Sequence, residues 1–189
     1  MSSLKKQVGV DLGLTNEEKQ ELHHIARLAI ETKTQGKSLP SVSPATEKLK
    51  ENRGAFVSLY KKGMLRGCIG SLEADYPLHK TVAEMSLAAA FRDPRFRPVT
   101  AEELPYLEVE ISVLTPLQKI DNPEDIQVGL HGILVRKGSR SGLLLPQGAT
   151  ERNWDRMTFL RETCRKAGLP SDAWKEKDTS IYVFSADVF

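Results

Sequence analysis

Apolar residues recur along this chain with two periods, and the switch from one to the other marks out its elements. From Thr15, the positions Leu22, Ile25, Ala26, Ala29 and Ile30 fall three and four apart, the spacing of one buried helical face. Thr15-x-x-Glu18 has the capping-box spacing that starts such a helix, and Gly36 and Pro40 end it. Ser43-Pro44 predicts a second, short helix closed by Gly54, because proline is harmless in a first helical turn. Between Ala55 and Lys61 the period drops to two, with Phe56, Ser58 and Tyr60 alternating against Val57 and Leu59. Lys62-Gly63 then turns the chain into a second strand over Met64 to Ile69, which makes a hairpin. Leu78, Val82, Met85, Ala88 and Ala89 restore the helical spacing up to Arg92-Asp93-Pro94. A third strand follows, where Leu107, Val109, Ile111 and Val113 alternate with Glu108, Glu110 and Ser112.

The order then repeats. Gly132 to Arg136 and Gly142 to Leu145 form a second hairpin across Lys137-Gly138, a helix runs from about Thr150 to Lys166, and a last strand spans Ser180 to Phe184. Both halves read β-β-α-β, and no Gly-, Ser- or Pro-rich tract separates them. The expected fold is α+β: two subdomains, roughly residues 55–115 and 130–185, with duplicated β-β-α-β modules sharing a core, plus an N-terminal helix. A tail over residues 1–14 precedes the single domain of 15–189.

Composition narrows the function classes. At 189 residues the chain can bury one substantial core. Its 27 Lys and Arg nearly balance 25 Asp and Glu with no long run of either sign, so it lacks the electrostatic signature of a dedicated nucleic-acid or membrane binder, although a local basic groove is compatible with it. Cys68 and Cys164 read as reduced thiols. The N-terminus lacks a signal-peptide core and no apolar run approaches the roughly 20 residues of a bilayer span, so a cytoplasmic location without membrane contact is expected. Cys-x-x-Cys, His-Glu-x-x-His and glycine-rich phosphate loops are missing, so no metal site is predicted and no cofactor is indicated.

Candidate chemistry gathers at a few places. Gly67 and Gly70 bracket Cys68-Ile69, and glycine inside a strand marks a bulge or a close backbone approach. Arg66 would share a face with Cys68 on a regular strand, and a guanidinium beside a thiol favours the thiolate. The alternative is a small, tightly packed side chain. Phe91-Arg92-Asp93-Pro94-Arg95-Phe96-Arg97-Pro98 clusters arginines on a stiff backbone, suited to carboxylate or phosphate recognition, or else Asp93 bridges to Arg95 and the phenylalanines anchor a loop. His131, between glycines at a strand entry, could be a base, a metal ligand or a turn residue. His79 is expected on the exposed face of its helix. Gln147, after Leu143-Leu144-Leu145-Pro146, offers an amide at a strand end. Cys164 falls at helical spacing with Phe159 and Leu160 and reads as core.

Leu65-Arg66-Gly67-Cys68-Ile69-Gly70, Asp93-Pro94-Arg95-Phe96, Leu107 to Leu114 and Gly142-Leu143-Leu144-Leu145-Pro146-Gln147, in this order, resemble the AMMECR family, the AMMECR-one domain known in prokaryotes as protein A of the AmmeMemoRadiSam system. Trp154, Phe159-Leu160, Cys164 and Lys166-Ala167-Gly168-Leu169 extend the likeness. The resemblance implies a mixed α+β fold with an internal duplication, a functional site at Arg66 to Gly70, association with Memo-like and radical S-adenosylmethionine proteins, and roles involving nucleic acid or a nucleotide. It implies no established reaction. Gly148 replaces a valine usual after the Leu-Leu-Pro-Gln run, which leaves a different turn open there.

Two function classes follow. One is an enzyme or enzyme component with Cys68 as nucleophile, Arg66 lowering its pKa, His131 or Glu110 moving protons and Arg95 holding an anionic substrate, with Asp93, Gln147, Gly67 and Gly70 shaping the site. The other is a non-catalytic binding or adaptor module for a protein partner, a nucleotide or RNA, for which Phe91, Phe96 and Arg97 supply the aromatic and basic groups.

Overall fold

Thr15 opens the first helix through a complete capping box: its hydroxyl accepts from the Glu18 amide at 3.2 Å, and the Glu18 carboxylate accepts from the Thr15 amide at 2.8 Å. The computed structural model describes residues 8–189, so residues 1–7 of the expected tail lie outside the described residues. The chain divides into two units, the first comprising Gly13–Leu114 with Val188–Phe189, the second residues 8–12 with Thr115–Asp187.

In the first unit, α1 (Asn16–Thr34) buries the expected stripe of Leu22, Ile25, Ala26, Ala29 and Ile30. Strands β1 (Ala55–Lys61) and β2 (Met64–Ser71) form the hairpin, joined by Lys62 and Gly63, both at positive φ as a two-residue turn of matching twist requires. Helix α2 (Leu78–Phe91) lies against both strands and against α1. Strand β3 (Leu107–Leu114) returns antiparallel to β1 on the side away from β2, so β1 is central and β2 is an edge. Val57, Leu59 and Ile111 are fully buried.

The first unit departs from expectation at three places. The helix predicted from Ser43-Pro44 is only a 3-10 turn, Glu47–Lys50, because a single apolar residue, Leu49, gives it no face to bury and Thr46 supplies no capping hydrogen bond. His79 is buried rather than exposed, its Nδ1 3.0 Å from the Leu49 carbonyl oxygen, in a helix that packs on the Glu47–Lys50 turn as well as on α1 and the sheet. A 3-10 turn over Ala101–Tyr106 was not foreseen.

In the second unit, β5 (His131–Lys137) and β6 (Arg140–Leu144) pair across Gly138-Ser139, one residue later than expected. The short β4 (Gln118–Ile120), also unforeseen, pairs with β7 (Thr179–Val188), which runs longer than predicted and pairs with β5. The single helix expected from Thr150 to Lys166 is two: α3 (Pro146–Glu151) and α4 (Arg156–Lys166). Asn153 takes a positive φ between them, and the Asp155 carboxylate accepts from the Thr158 amide at 2.7 Å, a new helix start within the predicted span. Phe159, Leu160 and Cys164 pack with Ile133, Val135, Ile181 and Val183, so the core reading of Cys164 holds. Residues of the expected tail are tied down here, with the Val10 amide donating to the Ala186 carbonyl and the Leu12 amide to the Asp187 carboxylate.

The fold is thus α+β, and the duplication is visible in strand order: β2-β1-β3 in the first unit and β6-β5-β7 in the second, each a hairpin followed by helix and strand. Each hairpin also has a glycine under its helix. A Cβ on Gly67 would stand 2.2 Å from the Ala89 carbonyl oxygen of α2, and one on Gly142 would stand 2.3 Å from the Ala167 amide nitrogen after α4. Both obstacles are backbone and cannot rotate away. Gly67→Ala and Gly142→Ala should each destabilise the protein by about 2 kcal/mol or more in urea unfolding. Gly148→Ala, whose nearest neighbour is an Arg152 side-chain nitrogen at 3.8 Å, should stay within about 0.5 kcal/mol of the wild type.

Candidate functional site

The site residues of the first unit are organised by the edge of β2. Cys68 lies opposite Ser58 of β1, and Ser58 lies opposite Glu110 of β3, so the three form one row across the sheet. The buried Ser58 hydroxyl donates to the Cys68 sulfur at 3.2 Å. Gly70, two residues on, lies opposite Phe56, whose ring occupies the space a side chain at 70 would need, 2.2 Å from an added Cβ.

The arginine-proline segment folds back onto this edge. Helix α2 stops at Phe91, Pro94 prevents its continuation, and the Phe96 amide closes a turn on the Asp93 carbonyl. The Asp93 carboxylate accepts from the Cys68 amide at 2.9 Å and from the Arg95 guanidinium at 2.9 and 2.7 Å. The Arg95 guanidinium in turn donates to the Cys68 carbonyl at 3.3 Å. Both backbone groups of Cys68 therefore point away from β1, and an Asp–Arg pair stands where a further strand would pair with them. The Asp93 side chain is 1% exposed and that of Arg95 49%, so the carboxylate is structural and the guanidinium faces solvent.

Arg66 serves a different partner from the one expected. The register slips between Leu59 and Tyr60, leaving Arg66 as the extra residue on β2. Its guanidinium donates to both oxygens of Glu103, at 3.0 and 2.9 Å, and to the Arg97 carbonyl at 2.9 Å. Glu103 also accepts from Lys61 at 2.8 Å and from the Thr100 amide at 3.1 Å. Phe96 lies near both guanidiniums, its ring centre 5.4 Å from Arg95 and 5.9 Å from Arg66.

The electrostatics follow these contacts. Burial pushes the Cys68 thiol above its ordinary value, ahead of the opposing Ser58 hydrogen bond and Arg95 charge, and the Asp93 and Glu110 charges push the same way as burial. Arg95 is foremost in holding Asp93 at about 2, and Arg66 foremost in holding Glu103 at about 2, in each case against the cost of burial.

His131 and Gln147 belong to the second unit. His131 begins β5, its Nδ1 accepts from the Gln127 amide at 3.2 Å, and burial lowers its pKa. Gln147 is not at a strand end: β6 stops at Leu144 and Gln147 is the second residue of α3. Gly148 continues that helical turn, so its replacement of valine brings no unusual backbone. The first unit thus brings together Cys68, Glu110, Asp93, Arg95, Gly67 and Gly70, with Arg66 alongside on Glu103. Ser58 and Glu103 were not singled out from sequence. The Thr100-x-x-Glu103 capping-box spacing, of which the structure forms the half in which the Glu103 carboxylate accepts from the Thr100 amide, is a usable signal for the latter. Among the described residues no three His, Cys, Asp or Glu side chains are grouped to hold a metal ion, and no helix is long and apolar enough to cross a membrane.

A family model described as AMMECR1 matches residues 23–189. The chain belongs to the AMMECR1 family. It is 46% identical over 185 residues to protein MK0488 of Methanopyrus kandleri, covering 93% of this chain and 89% of that one. It is 42% identical over 177 residues to a protein of Aquifex aeolicus, covering 90% and 91%. The crystal structure of uncharacterized protein PH0010 from Pyrococcus horikoshii superposes with a TM-score of 0.89 at 41% identity, covering 93% of this chain and 92% of that one. The AMMECR1 segments Arg66 to Gly70 and Asp93 to Phe96, far apart in sequence, are therefore one hydrogen-bonded assembly in this chain.

Asp93 and Glu103 have folded pKa values below their ordinary 3.8 and 4.5, so their stabilisation is fully present above about pH 4.5 and is lost as pH falls toward 2. Unfolding midpoints in urea should decline across that window. Glu103→Gln, which leaves the Arg66 charge uncompensated, should cost about 1–2 kcal/mol at neutral pH and flatten the acid decline.

Proposed function

We propose that this AMMECR1-family chain is a non-catalytic binding module, with Cys68 acting as a neutral thiol and the Arg95–Phe96–Arg97 segment receiving a phosphate-bearing ligand, a nucleotide or single-stranded RNA. The observation that carries the first half is the bidentate engagement of Arg66 by Glu103: the cation meant to favour a thiolate is neutralised, while burial raises the Cys68 pKa. The second half rests on composition and exposure. Arg95 and Arg97 are exposed, and Phe96 supplies a partly buried ring beside them. A guanidinium whose inner edge is fixed on Asp93 presents its outer edge with little remaining freedom, which lowers the entropy lost on binding.

Alkylation of Cys68 by iodoacetamide, followed against pH by peptide mapping, tests the first half. Reactivity should rise only near or above about pH 8.5 and be unmoved by Arg66→Ala. A thiol that titrates well below that value, and loses the advantage in Arg66→Ala, would instead support the enzyme reading. For the ligand, an oligouridylate and a mononucleotide should be titrated separately over a range of salt. Binding that weakens with salt, and weakens further in Arg97→Gln, is expected. No salt-dependent binding of either at micromolar protein would remove the phosphate-bearing ligand.

A further inference from the structure

The outward-facing groups of β2 do not end at Cys68. From Gly67 to Ser71 the pairing with β1 is regular, so Gly70, two residues beyond Cys68, turns its amide and carbonyl to the same outer edge. At Cys68 that edge is closed by Asp93 and Arg95. At Gly70 nothing takes their place: among the described residues no hydrogen bond reaches its outward groups. Phe56 covers Gly70 on one face of the sheet only. Ser71, the next residue, points to the other face, where α2 lies, and there it lines a groove of about 480 Å³ with Glu73, Asp75, Tyr76, Glu84 and Met85.

That groove has the size of a small-ligand or side-chain pocket and a definite charge. Glu73 and Asp75 are exposed and form no ion pair among the described residues, Glu84 is answered by Arg92, and Lys80 is the one cation in the lining. Tyr76 is 67% exposed, leaving an aromatic face beside the carboxylates. Carboxylates with an open ring beside them suit a lysine or arginine side chain, through ion pairing at the head and contact along the stem. An anionic occupant would be repelled.

We propose that the Gly70 edge of β2 and the adjoining acidic groove form a docking site for an extended, basic segment of a partner protein, which adds one short strand beside Gly70 and places a lysine or arginine among Glu73, Asp75 and Tyr76. The Asp93–Arg95 pair closes the edge on one side, so the added strand is limited to a few residues and its specificity comes from the groove. This surface is separate from the phosphate-bearing ligand site and does not depend on it.

The test uses the full chain, isotope-labelled for amide spectra, and a fluorescein-labelled peptide of alternating lysine and valine. Saturable binding is expected, with the Gly70 amide resonance shifting on titration. Methylating the peptide backbone nitrogens on its pairing edge should weaken binding about tenfold or more at unchanged charge. Glu73→Lys with Asp75→Lys, both at exposed positions, should do the same while leaving the unbound spectrum of the core intact. A glutamate-for-lysine peptide should not bind. The proposal is overturned by no saturation up to about 1 mM peptide, by a Gly70 amide that stays put at saturation, or by affinity indifferent to backbone methylation. That last result would mean a charge contact without strand pairing.

Discussion

The Asp93 carboxylate holds the first unit's edge together. It accepts from the Cys68 amide while gripping Arg95, and Arg95 completes the arrangement by donating to the Cys68 carbonyl. A buried carboxylate is tolerable only because the Cys68 amide and both the amide and the guanidinium of Arg95 donate to it, and an exposed sheet edge is blunted because the Asp93 and Arg95 side chains occupy it. The turn after α2, the closed edge of β2 at Cys68 and the position of Phe96 between two guanidiniums all depend on this one group. Gly67 belongs to the same constraint from the other side, since the helix that delivers Asp93 crosses β2 with its Ala89 carbonyl where any side chain at 67 would stand.

Where the sequence was informative, the physics was local. The α1 capping box, the Lys62-Gly63 turn and the alternation of β1 and β3 are decided within a few residues, and they appear as expected. Where it was silent, the deciding partner was distant. Asp93 stands 25 positions from the amide it accepts, and Glu103 stands 37 from Arg66, so no spacing rule could join them. The burial of His79 likewise involves a distant partner, the Leu49 carbonyl 30 positions away, which helical periodicity within α2 does not report. The break between α3 and α4 is a different failure, because Asp155 offered a capping signal and the apolar spacing of Phe159, Leu160 and Cys164 outweighed it.

The sequence grouped residues that the fold divides and did not report their wiring: His131 and Gln147 lie in the second unit. Cys68, Arg66, Asp93, Arg95 and Glu110 do lie in one unit, and the family that the chain resembles is the one it belongs to. Yet the inference that proximity in sequence makes Arg66 the partner of Cys68 assumed a regular strand. One extra residue opposite the Leu59–Tyr60 step moves Arg66 out of alternation and delivers it to Glu103.

That displacement changes what the Arg-Gly-Cys-Ile-Gly segment asks to be explained by. Each of its members acquires a physical reason without any reaction: Arg66 is bound to Glu103, Gly67 lies under a helix, Cys68 offers its backbone to the Asp–Arg pair, and Gly70 lies beneath the Phe56 ring. The thiol itself is the remainder. It receives a hydrogen bond from Ser58, which favours a thiolate, yet it stands in a row with Glu110 and beside Asp93, whose charges oppose one, and burial opposes it more strongly than either. A catalytic cysteine needs cations that outweigh its desolvation. Here Arg95, the nearby cation that does lower the Cys68 pKa, is already bound to Asp93, so the pair brings almost no net charge to the sulfur, and the balance falls to the neutral thiol.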